Sequence, residues 1–421
     1  MNIFWFRRDL RLSDNVGLHY ALQQGNVKPI FIFDIDIIQK LEKNDSRLSF
    51  IHTTISQINT ILSKYNTSIH CYYGKPEEIW ADIVKNNDIE SVFWNRDYEP
   101  YAIKRDRSIT NILELNNSTI HTFKDQVIFE KNEISKENGL PYTIYTPYKN
   151  KWLSTFSNIN RIDYSIKFEN FIQQKKPMLS LEKMGFLKSK ITVKPFTFSG
   201  LGEYHLIRDF PNRDETSHLS PHLRFGTISV RECVQKASKI NSTFLSELIW
   251  REFFMQIIFH FPHVVKNCFK KKYDKIKWNN NIDDFELWCQ GNTGYPIVDA
   301  GMRQLNQTGY MHNRVRMITA SFLIKHLLID WRWGESYFAK KLLDYDLSAN
   351  NGNWQWAAGT GCDSAPYFRI FNPITQLKKF DPKMEYVRKW VKEINTPKYP
   401  NAIIDHKIAR ERCLITYKKV V

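Results

Sequence analysis

Residues 3–33, IFWFRRDLRLSDNVGLHYALQQGNVKPIFIF, begin and end in short apolar runs, Ile3–Phe6 and Pro29–Phe33, rich in β-branched and aromatic side chains. Runs of the same kind recur at Ile69–Tyr73, Ser91–Trp94 and Ile120–Phe123, and between the runs lie stretches with helical spacing such as Arg47–Lys64 and Pro76–Asn86. This alternation predicts a Rossmann-like, five-stranded parallel sheet covered by helices. No G-x-G-x-x-G follows the first run and no G-x-x-x-x-G-K-[ST] occurs anywhere, so the expected fold brings no nucleotide motif with it.

Outward from that stretch, Arg7-Arg8-Asp9-Leu10-Arg11 reads either as a phosphate-reading loop or as a solvated charge cluster. From about Glu130 to Phe196 the strand period fades, which is expected of a long interdomain connection held by Tyr145, Tyr148, Trp152 and Phe156. Beyond Phe196 apolar residues fall at three- and four-residue spacing in Thr243–Phe261, Ile297–Leu305 and Val315–Leu328, the period of buried helices. The expected organisation is an α/β domain over 1–129, a linker over 130–196 and an all-α domain over 197–421.

With 60 Lys+Arg against 44 Asp+Glu the net charge is +16, which suits an acidic polymer or an anionic surface. No apolar run is long enough to span a membrane, and the N-terminus has the reverse of the secretory charge order. The 6 cysteines are scattered without C-x-x-C spacing, so neither a zinc site nor a disulfide framework is expected, and the chain reads as reduced and cytoplasmic.

The chemistry concentrates in Asp344–Pro373, DYDLSANNGNWQWAAGTGCDSAPYFRIFNP. If Asn350 to Trp356 are helical, Asn350 and Trp354 share a face while Trp354 and Trp356 point roughly 200° apart. Together with TGYPIVDAGMRQL from Thr293 and MHNRVRMITASFL from Met311, this stretch resembles the flavin-binding signature of the DNA photolyase and cryptochrome family. The resemblance extends over the whole chain, and RRDLR matches an N-terminal hallmark of the family's antenna domain.

The resemblance implies FAD, active as the reduced anion, bound in the all-α domain. Tyr204 and the run Thr216, Ser217, His218, Leu219, Ser220 match the phosphate-binding loop; as residues alone they are hydroxyls and amides where a helix begins. Arg316 and Asp344 match a pair beside the flavin ring, followed by Tyr345, and Asp346 matches an acceptor of hydrogen bonds from the ring. Asn350 matches the residue facing flavin N5. His218 and His222 lack the carboxylate or cysteine a metal site needs, so no metal is expected.

Trp354, Trp331 and Trp278 match the family's electron-transfer tryptophans, from flavin-proximal to surface. Trp250 and Trp356 match the walls of the lesion pocket, Glu247, Asn313 and Arg314 its polar contacts, and Met317 its apolar side; Arg208, Arg251, Arg314 and Gln376 match positions that touch DNA. Glu247 is expected either protonated through burial against Trp250 or paired with Arg251. The implied activity is light-driven splitting of cyclobutane pyrimidine dimers in UV-damaged DNA by a monomer.

Two alternatives remain, a cryptochrome-type photoreceptor and a 6-4 photoproduct enzyme. The first usually carries sequence beyond the flavin domain, and the second resembles His-His where this chain has His312-Asn313. A second, antenna chromophore is compatible with the family. Folate-type antennas go with an Asn-Glu pair where this chain has Tyr101-Ala102, a departure that argues against folate.

Overall fold

The computed structural model describes residues 1–157 and 164–421. It divides into two compact units, one of Met1–Ile134, Asn150–Phe196 and His218–Lys239, the other of Ser135–Lys149, Thr197–Ser217 and Ile240–Val421. The segment expected as a linker is thus shared between them, apart from its residues 158–163, which lie outside the described residues.

In the first unit β1 (Asn2–Phe6), β2 (Val27–Asp34), β3 (His70–Gly74), β4 (Ser91–Asn95) and β5 (Thr119–Phe123) form one parallel sheet in the order β3-β2-β1-β4-β5. The period of two along β1 sends Phe4 and Phe6 into one core with Phe31 and Phe33, and Ile3 and Trp5 into another with Ile30, Trp80 and Trp94. Helices Val16–Gln24, Ser46–Leu62, Pro76–Asn86 and Pro100–Glu114 follow successive strands, as parallel crossovers require. Gly17 lets the first of them approach the sheet closely, because a Cβ there would meet Phe4 and Asn95 at 2.9 Å.

RRDLR is neither solvated nor free to read phosphates. Arg7 binds Asp106 and the Asn95 carbonyl, Arg8 binds Asp97 and Glu99, and Arg11 binds Asp125 through both carboxylate oxygens at 2.7 and 2.8 Å. The charge cluster is an internal scaffold at the carboxyl end of β1.

The second unit is helical. Its Ser242–His260 helix is capped by Asn241 and buries Phe244, Leu248, Ile249, Phe253, Phe254 and Ile257. Leu347–Ala358 starts on Asp346, whose side chain accepts from the Ala349 N–H, and stops at Gly359, where φ is 83°. Gly352 admits the ring of Phe254, since a Cβ at Gly352 would lie 2.1 Å from it. Gly334, in Trp331–Lys341, likewise leaves room for Trp354 at 2.2 Å.

Lys325, buried in the π turn Phe322–His326, sends its ammonium to the Ala358 carbonyl at 2.8 Å and lies 3.8 Å from the Tyr417 ring centre. A cation at the carboxyl end of a helix complements its dipole and holds the end of Leu347–Ala358 in place. Burial brings the pKa of Lys325 down to about 8. No described helix is long and apolar enough to cross a membrane.

Candidate active site

The Leu347–Ala358 helix sorts its side chains as the period predicts: Asn350 and Trp354 are buried, and Trp356 is half-buried. The Asn350 Nδ2 donates to the carbonyl and to Oε1 of Glu335, both at 3.0 Å. With its donors spent there, Oδ1 is the atom left to accept a proton-bearing nitrogen. Glu335 was not legible as a site residue; burial raises its carboxyl pKa, and the bond from Asn350 opposes that. One turn before Trp354's turn, Ser348 Oγ is buried and without a protein partner, a polar atom suited to a ligand.

Arg316 meets Asp344 in a two-pronged pair at 3.1 and 2.9 Å and donates through Nε to the Met311 carbonyl at 2.8 Å. Its guanidinium lies 5.8 Å from the ring of Tyr310, whose hydroxyl is 3.0 Å from Thr216 Oγ1. Thr216 therefore joins the Arg316–Asp344 cluster through Tyr310, another residue the sequence did not flag. Tyr345 packs at the edge of the helical core.

Tyr204 packs edge-on against Phe244 at 5.1 Å with Arg208 over its ring at 5.2 Å. Ser217 is buried, and its carbonyl accepts from Thr197. His218, at φ 52°, precedes the short helix Leu219–Phe225, in which Leu219 is buried and Ser220 exposed; these three residues belong to the α/β unit. His222 is held by Thr227 and the Lys194 carbonyl, and no metal-binding cluster occurs among the described residues.

Glu247 and Trp250 are one turn apart on Ser242–His260. The partner of Glu247 is not the one expected. It accepts from Arg208 at 2.7 Å, so its partner comes from a distant segment instead of the neighbouring Arg251. Arg251 is half-buried on the same helix.

Arg314 donates to Asp209 at 2.7 Å and covers the Phe380 ring at 4.4 Å. Asn313 is exposed, Met317 and, on the separate helix Pro373–Phe380, Gln376 are partly exposed, and His312 caps the Asn313–Ser321 helix by accepting the Arg314 N–H at 3.2 Å. Burial lowers the His312 pKa to about 4, which suits that acceptor role.

Of the three chain tryptophans, Trp354 and Trp331 are buried and Trp278 is partly exposed, all in or against one core. Trp354 packs on Phe338 at 5.0 Å and on Trp288 at 6.2 Å, Trp331 lies under Arg332 at 4.8 Å, and Trp278 is edge-on to Tyr417 at 6.2 Å. Trp288 is a buried indole that no spacing signal singled out.

In the α/β unit, Tyr101 donates its hydroxyl to Asp34 at 2.7 Å and Ala102 is buried. Neither supplies the amide and carboxylate that the Asn-Glu pair would.

Residues 2–167 match the family model for DNA photolyase and residues 244–398 the model for the FAD binding domain of DNA photolyase. The deoxyribodipyrimidine photo-lyase of Escherichia coli is 36% identical, with 99% of this chain and 98% of that protein covered. That of Vibrio cholerae is 35% identical over 99% of both chains. The archaeal photolyase from Sulfolobus tokodaii, solved with two FAD molecules and discussed as implicating a novel light-harvesting cofactor, superposes with a TM-score of 0.87 at 36% identity over 100% of both chains. A cryptochrome from Synechocystis shares the fold, with a TM-score of 0.82, 24% identity and 99% of both chains covered. With both models matched and curated relatives aligned end to end, this chain belongs to the DNA photolyase family.

Proposed function

We propose that this chain repairs cyclobutane pyrimidine dimers in UV-damaged DNA under blue light. The observation that carries the reading is the contact between two helices: Ser242–His260, which presents Glu247 and Trp250, and Leu347–Ala358, which presents Asn350, Trp354 and Trp356, meet where Phe254 seats on Gly352. Residues assigned to the lesion and residues assigned to the cofactor are thereby held on neighbouring backbones.

Arg316, Asp344, Asp346, Asn350, Ser348, Thr216, Ser217 and Tyr204 would hold FAD, whose donor and acceptor edges suit a guanidinium, two carboxylates, an amide and hydroxyls. FAD, when bound and reduced, supplies the electron that splits the dimer on excitation. Arg316 offsets negative charge at that position, Asn350 offers Oδ1 as an acceptor, and Trp354, Trp331 and Trp278 relay electrons that restore the reduced form.

Trp250 and Trp356 supply flat walls for a flipped dinucleotide, and Met317 a compliant side. When Arg208 turns to a phosphate, Glu247 is released toward the base edges. Arg251, Arg314 and Gln376 fix the strand. The protein is read as a cytoplasmic monomer that joins the nucleoid when bound to DNA.

The test is a thymine-dimer oligonucleotide with FAD-loaded, chemically reduced protein, with product analysis in light and in darkness. Repair in light alone is expected. No repair in light at full FAD occupancy defeats the reading in favour of a photoreceptor.

A further inference from the structure

We propose that Tyr145 is a positioning residue for Trp250, fixing the plane of the indole before DNA arrives; this rests on the reading that Trp250 walls the lesion pocket. Tyr145 lies in the stretch expected to be connector, yet it is 7% exposed, and its ring stacks on Trp250 with centroids 3.6 Å apart and planes 8° from parallel. Most aromatic pairs prefer an offset or an edge contact with centroids about 4.5–7 Å apart, so this is near-complete overlap.

The tyrosine is tied at both ends. Its hydroxyl donates to the Ser246 carbonyl at 2.7 Å, one turn before Trp250 on the same helix, and its backbone N–H donates to Asp363 Oδ2 at 2.9 Å. Phe253 closes the edge of both rings, at 5.9 Å from Tyr145 and 5.6 Å from Trp250. Phe254 stacks on Trp250 as well, at 5.4 Å and 30°, and the part of the indole that neither Tyr145 nor Phe254 covers stays exposed to a ligand. A ring already held in one plane has less freedom to lose when a base stacks on it.

The test uses the full chain loaded with FAD. Dissociation constants are measured in the dark for thymine-dimer and undamaged oligonucleotides, and KM and kcat for repair in light. Tyr145→Leu should raise the lesion Kd and KM about three- to tenfold while kcat and binding of undamaged DNA hold. Tyr145→Phe should stay near the parent, because the stack survives. In a Trp250→Ala background, Tyr145→Leu should add nothing further.

A parent-like lesion Kd in Tyr145→Leu, with Trp250→Ala weakened, overturns the proposal; so do fully additive losses, which would mean that Tyr145 acts independently of Trp250. If Trp250→Ala binds the lesion as the parent does, the pocket reading itself has failed. Should Tyr145→Leu not fold, Asp363→Ala releases the N–H tie without touching either ring: a two- to threefold rise in lesion Kd supports the proposal, and the parent value overturns it.

Discussion

Arg7, Arg8 and Arg11 of the α/β unit and Arg208, Arg314 and Arg316 of the helical unit are all paired with carboxylates, but they are used differently. The first three side chains are 7, 11 and 6% exposed and also bond to backbone carbonyls or to a second acid. The second three are 24, 19 and 24% exposed, each with one acidic partner, Arg316 adding a backbone carbonyl, that of Met311. A buried cation must be bonded on every side because its desolvation is costly, whereas a half-exposed one can trade its partner for an incoming anion. The first three arginines are committed to construction, and the second three remain within reach of an incoming anion.

The largest expected effect follows from the committed set. Asp125 is 1% exposed on its side chain and holds both Arg11 and Arg231. Asp125→Ala leaves two guanidinium groups without their shared anion and should cost about 3–5 kcal/mol of stability, read from urea denaturation of the α/β unit. A loss under about 1 kcal/mol would mean that the network is not structural.

The two units should also weaken at different acidities. His312 is held neutral by burial, with a folded pKa of about 4 against about 6.5 unfolded. Between those values the unfolded chain binds more protons, so its contribution is complete above about pH 6.5 and is lost as pH falls toward 4. The loss is on the order of 3 kcal/mol.

Burial works to raise Asp97, but Arg8 and then Arg224 outweigh it and bring the pKa down to about 2, so its contribution persists until pH falls below about 4. On acidification, His312's contribution should be lost before that of Asp97. His312→Asn keeps an N-cap acceptor and should flatten the slope of stability between pH 6.5 and 4. An unchanged slope would remove His312 from that role.

Smaller again is the effect at Arg316, which stands between the two sets, since its partner Asp344 is only 6% exposed. Asp344→Asn removes the anion but keeps the shape. It should weaken FAD binding by about 1.5–3 kcal/mol, roughly 10- to 150-fold, measured by titrating the stripped protein with FAD. Parent affinity would place the pair outside the cofactor site.

What the sequence could show follows the range of the interaction. The strand runs were legible because the period of two is local, and Asn350 and Trp354 shared a buried face because the helical period is local too. The partners of RRDLR were not, since Asp97, Asp106 and Asp125 lie far along the chain and come to Arg7, Arg8 and Arg11 only through the sheet order. Glu247 was assigned a helix neighbour and found Arg208 for the same reason. Glu335 and Trp288 carry no spacing signal, and Tyr145 was hidden in a stretch whose weak period read as connection.

The smallest effect is the sharpest test of charge held available, and it sets Arg314 against Arg8. The Arg314–Asp209 pair is partly exposed on both sides, at 19 and 38%, so it is worth about 0–1 kcal/mol and can be exchanged for a phosphate at little cost. Arg314→Ala should weaken damaged and undamaged DNA alike and reduce the slope of log K against log salt by about 1, because one fewer phosphate is neutralised. Arg8→Gln should leave that slope unchanged in the protein that remains folded, since Arg8 is already shared between Asp97 and Glu99. Asp209→Asn adds a check in the other direction: an Arg314 freed of its anion should bind both DNAs slightly more tightly. If Arg8→Gln lowers the slope as much as Arg314→Ala does, burial has not separated the arginines that build the α/β unit from those that meet DNA.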